Sequence, residues 1–310
     1  MKLRLVRARA APDGAVAAPV QHWTEIDWTR HVRMAQVLER RLSYVDYGEG
    51  PPVVLVHGLG GCWQWWLENI PTLGREHRVI AVDLPGFGAS EALPSPGEMR
   101  THAQTIRALL DALEIDRASI CAHSMGGLVA VRLAADHPDR LQRLVLVCAG
   151  GITLSAVQLA VLSHSFVAFN AFFAQPGVAG TFARRPRLRR LLFARAVAHP
   201  ESVSPALAAQ IVPRLSAPGF LGAVRAGIRV ANEVDMSGIS VPSLALWGRG
   251  DPILPVAQAE ELVRRMPDAR LVVLEDSAHC PMFEQPAAFN TALLWFLAGA
   301  EHQASQRSFT

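Results

Sequence analysis

Lysine is almost absent from this sequence of 310 residues, in which Lys2 is the only example. The formal net charge of +3 therefore comes from arginines spread along the chain, which is not the pattern of a nucleic-acid-binding surface. Cysteine is scarce too, and the four cysteines form no CxxC pair, so neither a metal site nor a disulfide framework is predicted. Free thiols are expected, and only a pairing of Cys62 with Cys280 stays open.

Long apolar runs are also missing. No run is long enough to span a bilayer, and Arg4, Arg7 and Arg9 interrupt the apolar core that a secretory signal needs. A cytoplasmic protein is expected, with flexible tails at residues 1–22 and 299–310. Hydrophobic residues make up 50% of the chain, which is enough for one large α/β core with an inserted subdomain. Nothing in the sequence predicts an oligomeric state.

Strand and helix patterns alternate along most of the chain. Short apolar or alternating runs predict strands at 42–47, 53–56, 79–82, 117–122, 144–148, 243–247 and 270–274. Helical spacing predicts helices at 63–73, 101–113, 126–137 and 286–297. A further helix is predicted after the loop at 248–255 and ends at residue 265. Residues 23–41 fit a helix or a strand. Because glycine-rich loops follow the strands, the pattern indicates a doubly wound α/β sheet, whose ligands bind beyond the carboxyl ends of the strands.

The alternation stops at residues 152–236, where a helical, phenylalanine-rich composition predicts a cap inserted between two parts of the core, 23–151 and 237–298. Some of its aromatic residues are candidates for lining a substrate pocket, although a small helical subdomain needs such a core anyway. These candidates are Phe166, Phe169 and Phe172. An arginine cluster could meet an acidic substrate or a membrane surface, but a solvated helix face is favoured. The cluster consists of Arg184, Arg185, Arg187, Arg189 and Arg190.

Ser124 lies in the sequence AHSMGG, between a predicted strand and a predicted helix. A sharp strand-to-helix turn exposes a hydroxyl and places the next backbone amide at a helix N-terminus, facing developing negative charge. Gly126 fills the second glycine position of a GxSxG elbow, whereas Ala122 replaces the first. The alternative interpretation is a helix N-cap, whose hydroxyl would only satisfy unpaired amides.

A serine hydroxyl needs a base to attack a carbonyl, and that base needs a group to orient it. Asp251 and His279 each follow a predicted strand, so both are expected at the same sheet edge as Ser124. Taken singly, Asp251 could be a turn residue before Pro252, and His279 could be a satisfied loop histidine. The chain order Ser, Asp, His favours a catalytic triad.

Other residues receive supporting roles. The backbone amides of Leu59 and Met125 are expected to stabilise the negative carbonyl oxygen that forms during attack. His57 is expected to hold the glycine loop that contains Leu59 by hydrogen bonding. Glu275 and Asp276 are backup acids, disfavoured because they lie so close to His279 in sequence.

Five motifs, HGLG, DLPGFGAS, AHSMGG, GRGD and HCP, give the sequence a resemblance to the α/β-hydrolase family over about residues 31–298. The resemblance implies an eight-stranded, mostly parallel sheet flanked by helices and a helical cap after the sixth strand. It also implies a triad of Ser124, Asp251 and His279 that needs no cofactor. Serine at the nucleophile position disfavours haloalkane dehalogenases and epoxide hydrolases, which have aspartate there.

Carboxylesterase action on small-molecule esters of short to medium acyl chains is the expected function, with lactonase and thioesterase specificity open. A carbon–carbon bond hydrolase is the main rival, because HSMGG and the AGG at 149–151 resemble that group. Its oxyanion loop usually runs HGGGPG, however, and an aromatic residue usually follows its catalytic histidine. This chain has HGLGG and Cys280 instead.

Two interpretations from other classes are weaker. Gly58, Gly60 and Asp83 imitate a dinucleotide-binding fingerprint, but Trp63 stands where the third glycine must allow close helix packing. The same fold could also serve as a ligand receptor without turnover, because function lies in sites and not in folds. An intact triad argues against the receptor.

Overall fold

The computed structural model describes residues 20–93, 98–149, 156–230 and 235–299. The tails expected at 1–22 and 299–310 therefore fall almost entirely outside the described residues, as do residues 150 and 151, where the insertion begins. Within the described part of the chain, no helix is long and apolar enough to cross a membrane.

A single sheet of eight strands forms the centre of the protein. The strands are β1 (Val32–Val37), β2 (Arg40–Tyr47), β3 (Pro52–Val56), β4 (Arg78–Val82), β5 (Ala118–His123), β6 (Leu141–Val147), β7 (Ser243–Gly248) and β8 (Ala269–Leu274). Their order across the sheet is β1-β2-β4-β3-β5-β6-β7-β8. Only the pairs that involve β2 are antiparallel. The eight-stranded, mostly parallel α/β sheet is confirmed, and part of the ambiguous segment is strand β1.

Eleven α-helices accompany the strands in the described residues. Before the insertion come α1 (Ile70–Leu73), α2 (Met99–Ala112) and α3 (Met125–Asp136). Between β6 and β7 come α4 (Ala156–Phe173), α5 (Val178–Arg184), α6 (Pro186–Phe193), α7 (Pro205–Ile211) and α8 (Phe220–Val230). The chain then continues with α9 (Val256–Arg265), α10 (Pro281–Glu284) and α11 (Pro286–Leu297). We call residues 152–236 the insertion; its described part is helical and follows the sixth strand.

Two hydrophobic cores lie on the two faces of the sheet. Alternate residues of β3 divide between them, since Val54 and Val56 pack on one side and Val53 and Leu55 on the other. The first core takes in α2, α3 and α9, and the second takes in α1 and α11. Burial on both faces explains why these strands are nearly continuous apolar runs. Because β3 to β8 run parallel, the loops after them meet at one edge of the sheet.

Candidate active site

Ser124 occupies a sharp turn between β5 and α3, with backbone angles φ 51° and ψ −119°. This conformation is rare for a residue with a Cβ atom and is typical of strained functional sites. Although the serine is at the N-cap position of α3, its hydroxyl makes no capping hydrogen bond. The N-cap interpretation is therefore wrong, and the hydroxyl is free to contact another group.

Glycine is required where the start of α3 meets the loop after β3. A Cβ atom at Gly126 would lie 2.6 Å from the carbonyl oxygen of His57 and 2.9 Å from that of Val56. A Cβ at Gly58 would lie 2.8 Å from Nδ1 of His123 and 3.0 Å from the Cβ of Ser124. The loop after β3 and the start of α3 thus approach each other at backbone distance, which only glycine permits.

The structure brings Ser124, His279 and Asp251 together at the carboxyl edge of the sheet. Oγ of Ser124 lies 3.1 Å from Nε2 of His279, and Nδ1 of His279 lies 2.7 Å from Oδ2 of Asp251. The histidine is 5% exposed and the aspartate 4% exposed, so water competes little for these contacts. This arrangement can pass the serine proton to an imidazole that a carboxylate orients.

Asp251 is held by its own loop. Its Oδ1 accepts hydrogen bonds from the backbone amides of Ile253 at 2.8 Å and Leu254 at 2.9 Å. One carboxylate oxygen therefore shapes the turn, and the other faces His279. Asp251 is therefore a turn residue through Oδ1 and a partner of His279 through Oδ2, so the two interpretations are compatible.

The loop that carries His279 is held by Glu284, at the end of α10. The carboxylate of Glu284 accepts hydrogen bonds from the amides of Ala278 at 2.9 Å and Cys280 at 2.8 Å, on either side of the histidine. It also accepts one from Ala198 of the insertion at 2.7 Å. Sequence reasoning missed this residue. The only available signal was an acidic residue a few positions after the HCP motif.

Replacing Glu284 by glutamine is expected to lower kcat by about tenfold with little change in KM, because a misplaced base costs rate more than binding. Glutamine has one accepting oxygen in place of two, so it cannot keep the hydrogen bonds from Ala278, Cys280 and Ala198 together, and the loop of His279 becomes less firmly held. Steady-state kinetics on an ester that the wild type cleaves would measure this. Glu275→Gln, an exposed carboxylate on the same loop, is the matched control and should keep wild-type values. An unchanged kcat in Glu284→Gln would contradict the positioning role.

Cys148, directly after β6, connects the same two loops. Its thiol lies 3.5 Å from the carbonyl oxygen of Ala278 and accepts a hydrogen bond from the amide of Gly248 at 3.4 Å. Burial, and next the charge of Asp251, raise the pKa of this thiol well above its usual range, so it stays protonated. All four cysteines are buried and free, so the open pairing of Cys62 with Cys280 is not formed.

The amides of Leu59 and Met125 are available for an oxyanion. Within the described residues, neither amide donates a hydrogen bond. Met125 begins α3, where the helix dipole favours negative charge. The loop of Leu59 is held by the His57 ring, whose Nδ1 donates to the Gly58 carbonyl at 2.7 Å and whose Nε2 accepts from Leu84 at 3.0 Å. The expected holding role of His57 is confirmed.

Asp83 fastens two loops and does not face a ligand. Its carboxylate accepts hydrogen bonds from the amides of Trp63 at 2.8 Å and Ala89 at 3.0 Å, and the residue is 1% exposed. Burial raises the pKa of this carboxyl group. Both carboxylate oxygens of Asp83 already accept hydrogen bonds from backbone amides, so Asp83 is not placed to bind a ribose. The dinucleotide-binding interpretation needs an acidic residue in that role, and Asp83 does not provide it.

Three buried histidines are expected to make the fold acid-sensitive. Burial lowers the pKa of His57 and of His102 to about 4 and that of His123 well below its usual range. The unfolded chain binds protons at these groups below about pH 6.5, but the native chain does not, so acidification favours unfolding. The raised pKa of Asp83 offsets this in part at lower pH.

Urea unfolding is expected to show roughly 5 kcal/mol less stability at about pH 5 than at about pH 7. The loss should be reversible when the pH is restored, because it reflects proton binding to the unfolded chain. Equal or greater stability at the lower pH would contradict burial of neutral imidazoles.

The remaining candidates are the phenylalanines of the insertion and Glu275. Phe166 and Phe169 are half-buried and pack against Phe220, with ring centroids 6.2 and 6.4 Å apart. Phe172 is 44% exposed, so its surroundings do not favour a place in a pocket. Pocket lining by the other two stays a prediction. Glu275 pairs with Arg249 at 2.8 Å on the surface.

Comparison with known proteins identifies the family to which the chain belongs. The model of the "alpha/beta hydrolase fold" matches residues 51–286, which contain all three triad positions. The chain belongs to the α/β-hydrolase fold family. Its relatives are named as enzymes that cleave several kinds of bond, so membership of the family establishes a hydrolase but not the bond that this chain cleaves.

Two curated relatives and one solved structure illustrate this range among α/β-hydrolases. The pimeloyl-[acyl-carrier protein] methyl ester esterase of Aeromonas hydrophila is 32% identical, over 80% of this chain and 96% of its own. The 2-hydroxy-6-oxo-6-phenylhexa-2,4-dienoate hydrolase of Burkholderia cepacia is 29% identical, over 83% and 91%. The crystal structure of the enol-lactonase from Burkholderia xenovorans LB400 aligns with a TM-score of 0.72 and 27% identity, over 86% and 100%.

Proposed function

We propose that this α/β-hydrolase is a carboxylesterase that cleaves small-molecule esters of short to medium acyl chains through an acyl-enzyme on Ser124. The observation that carries the proposal is the chain of contacts from Ser124 through His279 to Asp251, at 3.1 and 2.7 Å. Similarity to the Aeromonas methyl ester esterase supports ester cleavage. A cytoplasmic location and a helical cap over residues 152–236 belong to the same proposal.

The first half of the reaction forms the acyl-enzyme. Oγ of Ser124 attacks the ester carbonyl carbon while its proton moves to Nε2 of His279. The carbonyl oxygen becomes negative and is stabilised by the amides of Leu59 and Met125. Asp251 stabilises the imidazolium through Nδ1–H. When the tetrahedral intermediate collapses, the carbon–oxygen bond to the alcohol breaks, and the alcohol leaves with the proton from Nε2.

The second half returns the enzyme to its starting state. Nε2 of His279, now neutral, takes a proton from water, and the resulting hydroxide attacks the acyl carbonyl carbon. Collapse of this second intermediate breaks the bond to Oγ and releases the carboxylic acid. The proton on Nε2 returns to Ser124.

Carbon–carbon bond hydrolysis on the same triad is the second candidate. The specific observation in its favour is the 29% identity to the Burkholderia cepacia 2-hydroxy-6-oxo-6-phenylhexa-2,4-dienoate hydrolase. Cys280 after the catalytic histidine and the HGLGG loop favour the ester. Lactonase and thioesterase activities would use the same acyl-enzyme.

Hydrolysis of p-nitrophenyl esters with increasing acyl-chain length tests the proposal. The expected result is turnover that depends on Ser124 and peaks at short or medium chains. A 2-hydroxy-6-oxo-dienoate should be assayed beside the esters, because turnover of that compound alone would assign carbon–carbon cleavage. Tight binding of an ester with no turnover, in a folded protein, would instead assign a receptor.

A further inference from the structure

Charge is divided unevenly between the insertion and the core. Residues 152–236 contain nine arginines and three acidic residues, which gives the insertion a net charge of +6. The whole chain carries +3, so the rest of the chain carries −3, and the core at residues 23–151 and 237–298 alone carries −6. Between residues 140 and 200 there is no acidic residue at all. The insertion is therefore strongly cationic, whereas the core is anionic.

The insertion arginines whose side chains the structure describes also lack acidic partners. In the core, nine arginines form ion pairs with aspartate or glutamate. Of the eight insertion arginines whose side chains the structure describes, none forms such a pair. Only Arg189 of the predicted cluster is buried, where it donates to the Ala183 carbonyl. Five exposed arginines thus gather around α5 and α6: Arg184, Arg185, Arg187, Arg190 and Arg195.

Exposed apolar side chains concentrate in the same segment. Of the eight large hydrophobic residues that are exposed in the described chain, five belong to the insertion. Three of them lie on α4, a helix of 18 residues without any Asp, Glu, Lys or Arg. These are Val161, Val167 and Phe172, which are 61%, 44% and 44% exposed. Val161 and Phe172, eleven residues apart, project from nearly the same side of α4, whereas Val167 projects about 120° away from them. Exposed apolar side chains concentrated on one segment favour contact with another surface.

The apolar and cationic features adjoin. Phe172, near the end of α4, packs edge-to-face against Phe182 of α5, with ring centroids 5.7 Å apart. Arg184 and Arg185 follow two and three residues later and lead into α6. On α6, Leu191 is 67% exposed and lies beside the exposed Arg187 and Arg190. The surface that we call the α4–α6 face therefore combines unpaired positive charge with exposed hydrophobic groups.

We propose that the α4–α6 face docks this hydrolase on an anionic lipid surface. A bilayer surface offers phosphate groups to the arginines and, just beneath them, acyl chains to the apolar side chains of α4 and Leu191. A symmetric dimer through this face would bring two cationic insertions together, and their mutual repulsion disfavours it. An acidic protein would complement the positive charge but would not bury the exposed apolar side chains of α4. The proposal does not depend on the bond that the enzyme cleaves.

Sedimentation with lipid vesicles tests the proposal on the full chain. The protein is expected to pellet with an equimolar mixture of phosphatidylcholine and phosphatidylglycerol and to stay in solution with phosphatidylcholine alone. Binding should weaken steeply as salt is added, because screening reduces the attraction of surface charges. Failure of the folded wild type to bind the anionic vesicles would overturn the proposal.

Matched variants separate the α4–α6 face from overall charge. Arg187→Glu combined with Arg190→Glu should weaken vesicle binding by at least about tenfold, and Val161→Ser with Leu191→Ser should also weaken it. The control variant combines Arg33→Glu with Arg75→Glu, which alters two exposed arginines of the core and changes the net charge by the same amount. This variant should bind vesicles as the wild type does. Turnover of a soluble ester should stay unchanged in every variant, which shows that the proteins are folded.

The same variants exclude other occupants. If the core pair of substitutions weakens vesicle binding as much as the α6 pair, net charge alone acts and the face is not the site. If the wild type self-associates through Val161 and Leu191 without binding vesicles, a second copy covers the face. If it binds only acidic proteins, the occupant is a protein. Each of these results overturns the lipid proposal.

Discussion

Ser124→Ala is expected to lower kcat/KM for carboxylic esters by about four to six orders of magnitude, because it removes the atom that forms the acyl-enzyme. The remaining rate would come from binding and from the amides of Leu59 and Met125. Ester hydrolysis under pseudo-first-order conditions, with enough enzyme to detect slow turnover, measures the loss. A folded variant within tenfold of the wild type would contradict the assignment of Ser124.

Stability should not follow activity in this variant. Alanine keeps the Cβ atom, so the strain of the φ 51° turn is unchanged, and the Ser124 hydroxyl does not cap α3. The melting temperature should therefore stay close to that of the wild type. Ser277→Ala is the matched control, since the Ser277 hydroxyl is buried two residues before His279 and has no hydrogen-bond partner among the described residues. It should keep both activity and stability.

Asp251→Asn is expected to lower kcat by about three to four orders of magnitude while the protein stays folded. The carbonyl oxygen of asparagine can keep the hydrogen bonds from Ile253 and Leu254 that Oδ1 now accepts. Its NH2 group then faces Nδ1 of His279, which must become an acceptor. The imidazole proton moves to Nε2, where it blocks acceptance of the proton from Ser124.

Two nearby acids serve as controls for this assignment. Asp276→Asn and Glu275→Gln change carboxyl groups that lie closer to His279 in sequence than Asp251 does, and both variants should keep wild-type kcat. A large loss in either of them, together with an active Asp251→Asn, would show that the orienting acid was assigned to the wrong loop.

The sequence was sufficient where structure follows from a repeated pattern. Helix α11 begins at Pro286 and ends at Leu297, as its helical spacing predicts, because one apolar face packs on the second core. The meeting of Ser124, Asp251 and His279 was predictable because each of them follows a buried strand, and parallel strands bring such positions to one edge. Strand β1 was ambiguous because it becomes a strand only through antiparallel pairing with β2.

Other features depend on contacts between distant parts of the chain. One helix is predicted over residues 63–73, but the structure has a 3₁₀-helix at Trp63–Trp66 and the short α1. The amide of Trp63 donates to the Asp83 carboxylate, and the side chain of Asn69 donates to the Met282 carbonyl at 2.8 Å. These long-range hydrogen bonds favour the observed geometry over one continuous α-helix. The role of Glu284 was hidden for the same reason, since one of its partners, Ala198, lies 86 residues away.

Capture of the acyl-enzyme would show which side chain attacks the ester. The wild type would be mixed with p-nitrophenyl butyrate, quenched in acid within the first turnover and examined by peptide mass spectrometry. The account predicts one butyryl group on the peptide that contains Ser124 and none in Ser124→Ala. A butyryl group on Cys148, on His279 or on any other residue, or product release from the wild type without an adduct, would contradict nucleophilic catalysis by Ser124.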